Sequence, residues 1–303
     1  MTSALYYTAL RMLGVPAAVR RGRNAAVILC YHNVVAADFP AGVGEPSLHM
    51  PEPRFREQMR WLAAHYDVLP LRALLARIRA GESLRGTAAL TFDDAYVGVF
   101  EHARPVLEEF SLPATAFVIA GAPEARETFW WDHPATHQDA TPERRQRWLA
   151  ELRGDRRAIL AELGASPSVT VPRALQPADW ATLRSAAESG HIDLGAHTVT
   201  HRTLPTLSEP ELTAELSGSR QTIERLTGIA PTVLTYPYGL WDERVSVAAK
   251  AAGYAAALTL ELGLASPGAD PWSLPRVNVP ATIGLSAFQS WAAGLGPPRI
   301  LRG

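Results

Sequence analysis

Two adjacent aspartates, Asp93 and Asp94, close the apolar run Ala88-Ala89-Leu90-Thr91-Phe92, and far downstream two histidines stand four apart in His197-Thr198-Val199-Thr200-His201. Two imidazoles and one carboxylate suit a divalent metal that keeps an open position for water. Neighbouring residues on an extended chain point to opposite sides. Asp93 and Asp94 are therefore not expected to chelate one ion together: one ligates and the other is left to act as a base. Residues four apart on a helical turn share a side, so His197 and His201 are read as lying on such a turn. Each block has a plainer reading: a hydrogen-bonded histidine pair, or a carboxylate turn or helix cap. Their position at the ends of apolar segments, followed by Tyr236-Pro237-Tyr238-Gly239, favours metal-assisted hydrolysis.

These residues need elements to carry them. Ala25 to Val34 is apolar and β-branched, a first strand ending near Tyr31 and His32. Apolar spacing predicts helices over Phe55 to Tyr66, Leu71 to Arg79 and Val97 to Phe110. Ala88 to Phe92 and Ala114 to Ala120 read as strands, and Ile192 to Ala196 as the strand that delivers His197. Trp180 to Glu188 reads as a helix stopped by Gly190. Ser208 and Glu211 have capping-box spacing for a helix with Leu212, Leu216, Ile223 and Leu226 inward and Gly228 at its end. Val233 to Thr235, Ala255 to Leu260 and Arg276 to Val279 complete the strands. Strands alternating with helices indicate an α/β fold of parallel units. Residues 128–161, rich in charge and tryptophan, break the rhythm as a partly helical insertion. The polar blocks all fall at or near strand ends, and in a parallel barrel the carboxyl ends of the strands form the active face.

The 303 residues, 47% hydrophobic and 19% charged, suit an ordinary soluble globular protein. A formal net charge of -1 gives no electrostatic case for a nucleic-acid partner. The single cysteine, Cys30, excludes an internal disulfide, leans toward a cytoplasmic setting and reads as an inert core thiol. No run reaches the roughly 18 apolar residues of a membrane span. The arginines Arg20, Arg21 and Arg23 follow the first apolar stretch instead of preceding it, unlike a secretory signal. Leu5, Ala9, Met12 and Leu13 share a helical face beside those arginines. Two readings stand: peripheral association with a membrane surface, or packing on the protein's own body.

Taken in order, Thr91-Phe92-Asp93-Asp94, His197 to His201 and Tyr236-Pro237-Tyr238-Gly239 resemble the first three motifs of the polysaccharide deacetylases, the family-four carbohydrate esterases or NodB homology domain. Tyr31-His32, Leu194-Gly195-Ala196-His197 and Leu274-Pro275-Arg276-Val277 add to the resemblance, which covers roughly residues 25–280. It implies a distorted (β/α) barrel, a divalent metal, most often zinc, and removal of N-acetyl groups from an amino-sugar glycan. Carried over, Asp94, His197 and His201 hold the metal, Asp93 is the general base, and Tyr238 offers its backbone N–H to the oxyanion. The chain is then divided into an N-terminal helical extension (1–24), a catalytic domain (25–290) and a C-terminal tail (291–303).

Two departures resemble the exopolysaccharide-deacetylase branch of the family. Thr235 stands where an arginine commonly orients the base, and no histidine follows His201 to serve as the late general acid. Arg276 is expected to replace the arginine by pairing with Asp93. For the acid, His32 and a proton returned by Asp93 both stand. Trp130-Trp131-Asp132-His133 offers either a sugar-stacking wall or ordinary packing, while Arg144, Arg145 and Arg147 read as one solvated helix face. Two other functions remain open: removal of a formyl or acetyl group from a lipid-linked amino sugar, and glycan binding without catalysis.

Overall fold

The computed structural model describes residues 3–296. Its strands are β1 (Val27–Tyr31), β2 (Asn33–Val35), β3 (His49–Pro51), β4 (Asp67–Val68), β5 (Thr87–Phe92), β6 (Ala114–Val118), β7 (Ile192–Ala196), β8 (Val233–Thr235), β9 (Ala256–Leu262) and β10 (Leu274–Asn278). Parallel pairing runs β1-β10-β9-β8-β7-β6-β5 and returns from β5 to β1, closing a barrel, with the short β4 alongside β5. The strands β1, β5 and β6 are buried at every position, as expected of parallel strands covered on both faces. This is the distorted (β/α) barrel expected from the sequence.

Helices α1 (Ser3–Met12) and α2 (Val15–Gly22) lead into β1; α3 (Glu52–His65), α4 (Leu71–Arg79) and α5 (Arg104–Glu109) lie between the early strands. The segment between β6 and β7 holds α6 (Ala122–Ala125), α7 (Pro134–Asp139), α8 (Pro142–Ala150), α9 (Arg156–Glu162) and α10 (Trp180–Glu188). Then come α11 (Glu209–Thr227), α12 (Glu243–Ala251) and α13 (Leu285–Ala292). The Ser208–Glu211 capping box forms, and Gly228 closes α11 in the left-handed region at φ 76°.

Several expectations change. The first strand does not run unbroken to Val34: it stops at Tyr31, and after His32 the chain joins β2, which pairs with β3 in a separate small sheet. The Asn33 amide donates to the Ala174 carbonyl at 2.9 Å, tying this departure in place. The helix expected from Val97 opens as a π-helical turn, Val99–Ala103, before α5. Pro105 has no N–H for the carbonyl one turn back, and the wider turn absorbs the loss. The boundary expected at residue 290 falls inside α13, while residues 297–303 of the expected tail lie outside the described ones.

Candidate metal centre and base

Four of the eight non-glycine residues with positive φ among the described residues lie in the three sequence blocks, Asp94 (69°), Thr198 (64°), His201 (59°) and Tyr238 (59°), and a fifth, Ala95 (50°), directly follows the first block. Such conformations cost energy and gather where a fold must aim particular groups. After β5 the chain turns sharply through Asp94 and Ala95, so the two aspartates diverge. His197 and His201 sit on a loop and not on the helical turn expected from their spacing. The left-handed residues Thr198 and His201 fold this loop back, bringing the two rings face to edge at 4.5 Å.

Three donor atoms converge. His197 Nε2 and His201 Nε2 are 2.9 Å apart, and Asp94 Oδ1 lies 3.6 and 3.7 Å from them. Ligand distances of about 2.0–2.1 Å in a tetrahedral shell place ligand atoms about 3.4 Å from each other. The Nδ1–H of His197 donates to the Thr235 carbonyl at 2.9 Å, with the Thr235 hydroxyl at 2.7 Å, which leaves Nε2 as a free lone pair. Asp94 Oδ1 is buried with no hydrogen-bond partner. Burial raises the Asp94 pKa well above the carboxylate range, and the Asp93 and Asp132 carboxylates push it the same way. Burial lowers both histidines, keeping them in the neutral form that ligates. An orphaned carboxylate oxygen between two neutral imidazoles fits a divalent cation.

Asp93 faces a different partner. The Arg276 guanidinium grips it with two parallel bonds, NH1 to Oδ1 at 2.8 Å and NH2 to Oδ2 at 2.7 Å. Arg276 is completely buried, and its Nε donates to the Thr259 carbonyl at 2.9 Å. The β9–β10 register shifts between Leu274 and Arg276, an irregularity of the kind that re-aims a side chain. Burial alone would raise the Asp93 pKa; the Arg276 charge overrides it and holds the carboxyl well below its usual range. The position left to Thr235 is thus filled from another strand, and Thr235 instead orients His197.

His32 is half-buried, its ring within 4.8 Å of both the Asp93 carboxylate and the Cys30 thiol. Burial pushes its pKa down to about 4 against the pull of Asp93, so it is neutral at neutral pH. Cys30 is fully buried, 3.6 Å from Asp93 Oδ2, and burial drives its thiol pKa up.

Aromatic rings wall the candidate metal centre. Trp131 and Tyr238 lie 4.8 and 4.5 Å from the His201 ring. The Trp130 Nε1–H donates to the Tyr238 hydroxyl at 3.0 Å. The wall rests on a buried network that sequence reasoning missed. Trp131 Nε1 donates to Tyr96 Oη at 2.7 Å, and Tyr96 donates to Asp132 Oδ2 at 2.6 Å. The other Asp132 oxygen accepts from the Glu45 N–H and His49 Nε2–H, each at 2.8 Å. Glu215 was missed too: it accepts the N–H groups of Val199 and Thr200 at 2.8 and 2.9 Å and the Thr200 hydroxyl, pinning the histidine loop. Its sequence signal is an acidic residue among the inward positions Leu212, Leu216 and Ser219 of α11. A cleft of about 430 Å³ opens beside His201, lined by Phe129, Trp130, Trp131, Glu127 and Arg157 among others. Arg144, Arg145 and Arg147 are not merely solvated: Arg144 and Arg147 pair with Glu162, while Arg145 pairs with Glu45 and covers Trp130.

The polysaccharide deacetylase family model matches residues 80–257, more than half of the chain. YxkH of Bacillus subtilis, named as a polysaccharide deacetylase, is 23% identical over 266 residues, covering 87% of this chain and 75% of that protein. The poly-β-1,6-N-acetyl-D-glucosamine N-deacetylase of Staphylococcus aureus is 27% identical over 115 residues, 35% of this chain and 40% of that enzyme. Among solved structures, IcaB of Ammonifex degensii superposes with a TM-score of 0.62 at 18% identity, covering 89% of this chain and 98% of IcaB. The chain belongs to the polysaccharide deacetylase family.

Proposed function

We propose that this member of a family of carbon–nitrogen hydrolases is a metal-dependent N-deacetylase acting on N-acetylated amino sugars of a poly- or oligosaccharide. The observation that carries the reading is the pairing of two unlike carboxylates: Asp94, orphaned between His197 and His201, and Asp93, clamped by Arg276. Asp94, His197 and His201 would hold the ion. A divalent metal there, zinc being the expected one, supplies Lewis-acid polarisation of the amide carbonyl and lowers the pKa of the attacking water.

The chain's own groups do the rest. Asp93, kept ionised and in one rotamer by Arg276, takes the water's proton. The backbone N–H of Tyr238, in its left-handed turn, is the donor assigned to the developing oxyanion. His32, kept neutral by burial, carries no acidic imidazolium proton to give at the outset. Asp93, once protonated, gives its proton up readily because its carboxyl is held so acidic. We therefore assign delivery of that proton to the leaving amine to Asp93, with His32 as its immediate neighbour. The aromatic wall offers faces on which a pyranose can stack, and the Staphylococcus aureus relative's named substrate points to β-1,6-linked N-acetylglucosamine.

The test is acetate release from β-1,6-linked N-acetylglucosamine oligomers. Acetate is expected with metal-loaded protein, lost after chelation and restored by Zn²⁺. Formate release from an N-formylated, lipid-linked amino sugar with no acetate release would reassign the acyl group and carrier. Glycan binding without release by metal-loaded protein would make it a binding protein.

A further inference from the structure

The first two helices, α1 and α2, contribute no residue to the site. Between Ser3 and Ala37 the chain has four arginines, Arg11, Arg20, Arg21 and Arg23, and no aspartate or glutamate, although the whole protein is net acidic. The helices are fixed to the body on one side. Tyr7 is buried, receives the Trp291 indole N–H at 2.8 Å and donates to the Gly296 carbonyl at 3.4 Å. Arg20 donates to the His65 carbonyl and lies 5.2 Å over the Tyr66 ring. The Asn24 side chain accepts the Leu84 N–H at 2.8 Å just before β5. The helices therefore sit at the amino-terminal ends of the strands, away from the ends that carry Asp93, Asp94 and His197.

What they leave outside is apolar and basic. Leu5, Met12 and Leu13 are 61%, 80% and 77% exposed, three of the six large exposed hydrophobics among the described residues. Leu5, Ala9 and Met12 follow one another at four and three residues, a single helical stripe. Arg11 and Arg21 are exposed and in no ion pair among the described residues, and exposed Arg85 leans on the Arg21 and Gly22 carbonyls.

We propose that this two-helix unit docks the enzyme reversibly on an anionic lipid surface. Leu5, Met12 and Leu13 would enter the headgroup–acyl boundary, and the arginines would meet lipid phosphates. The charge pattern selects this occupant. In a two-fold dimer through this face, the same arginine cluster would face itself with no acid in the unit to relieve it. An anionic bilayer complements both the apolar stripe and the cations. So short a stripe does not anchor by itself, so binding needs both signals and weakens with salt.

The experiment is flotation of the full chain with vesicles of phosphatidylcholine alone or with about a third phosphatidylglycerol. The wild type is expected to float only with the anionic vesicles and to be released at high salt. Leu5→Ser/Met12→Ser/Leu13→Ser should abolish flotation. Arg11→Glu/Arg21→Glu should weaken it at least about 25-fold, roughly fivefold for each arginine lost from the surface. Acetate release from soluble oligomers should be unchanged in both. Circular dichroism checks the variants, and the wild-type salt series decides the matter even if one misfolds. Absence of wild-type flotation, equal flotation on neutral vesicles, or folded variants that float normally would each overturn the proposal. A wild-type dimer that becomes monomeric in the triple variant, with no vesicle binding, would assign the face to a second copy instead.

Discussion

Replacing Arg276 tests the central claim about the base. Its guanidinium makes two bonds to Asp93 at 2.7 and 2.8 Å and one to the Thr259 carbonyl at 2.9 Å, all buried. Arg276→Met keeps much of the side-chain volume but leaves a buried carboxylate unpaired, a loss of about 3–5 kcal/mol. At about 2–4 °C per kcal/mol for domains approaching this size, the melting temperature should fall by roughly 6–20 °C. Arg276→Lys keeps the charge but cannot span both carboxylate oxygens and Thr259 in one plane, so about 1.5–3 kcal/mol is lost for a charged hydrogen bond. The sign with pH follows from the direction of the Asp93 shift. Its folded pKa lies below the unfolded value of about 3.9, so the pair's stabilisation is present above that pH and fades as pH falls further. Without Arg276, burial is left unopposed, the Asp93 pKa rises, and the base protonates at higher pH. The acidic limb of the pH–rate profile for acetate release should then move upward, further in the methionine variant than in the lysine one. Thermal melts and pH–rate profiles of metal-loaded protein measure both effects. Wild-type melting and an unmoved acidic limb in Arg276→Met would refute the clamp.

The two aspartates should separate cleanly: Asp93→Asn is expected to retain metal and lose about 10²–10⁴-fold in turnover, whereas Asp94→Asn should lose metal, both read by metal analysis beside acetate release. The opposite pattern would exchange their roles. His32→Gln should keep metal and lower amide turnover far less than Asp93→Asn; an equal loss, with an ester substrate spared, would make His32 the acid. Glu215→Gln turns an amide NH₂ toward loop donors, and metal affinity should fall by about 10–100-fold in a metal-binding titration; unchanged affinity would free the histidine loop from Glu215.

Much of the barrel was legible because parallel strands buried on both faces leave continuous apolar runs, and each polar block stands where such a run ends. The separate fates of Asp93 and Asp94 were legible from adjacency. What the sequence hid was local backbone geometry. Spacing of four suggested a helical turn for His197 and His201, but left-handed Thr198 and His201 reach the same convergence by a loop. The break at His32 was hidden because Val34 and Val35 resume the apolar run beyond His32 and Asn33, and only the pairing of β2 with β3 separates the two strands. The Asp132 network joins Asn33, Glu45, His49, Tyr96 and Trp131 from well-separated segments, and no spacing rule links such positions.

The clamp between Asp93 and Arg276 joins residues 183 positions apart, one just past the end of β5 and the other on β10, with β1 paired to both strands between them. During folding this is among the last contacts to become available, since loops of such length close late. Until β10 inserts, Asp93 lacks the guanidinium that fixes its carboxylate in one rotamer toward the site. A chain whose barrel is still open therefore has no competent base even if Asp94, His197 and His201 have already met. Recovery of hydrolytic activity on refolding should lag behind recovery of metal binding, and the lag would time closure of the barrel by its final strand.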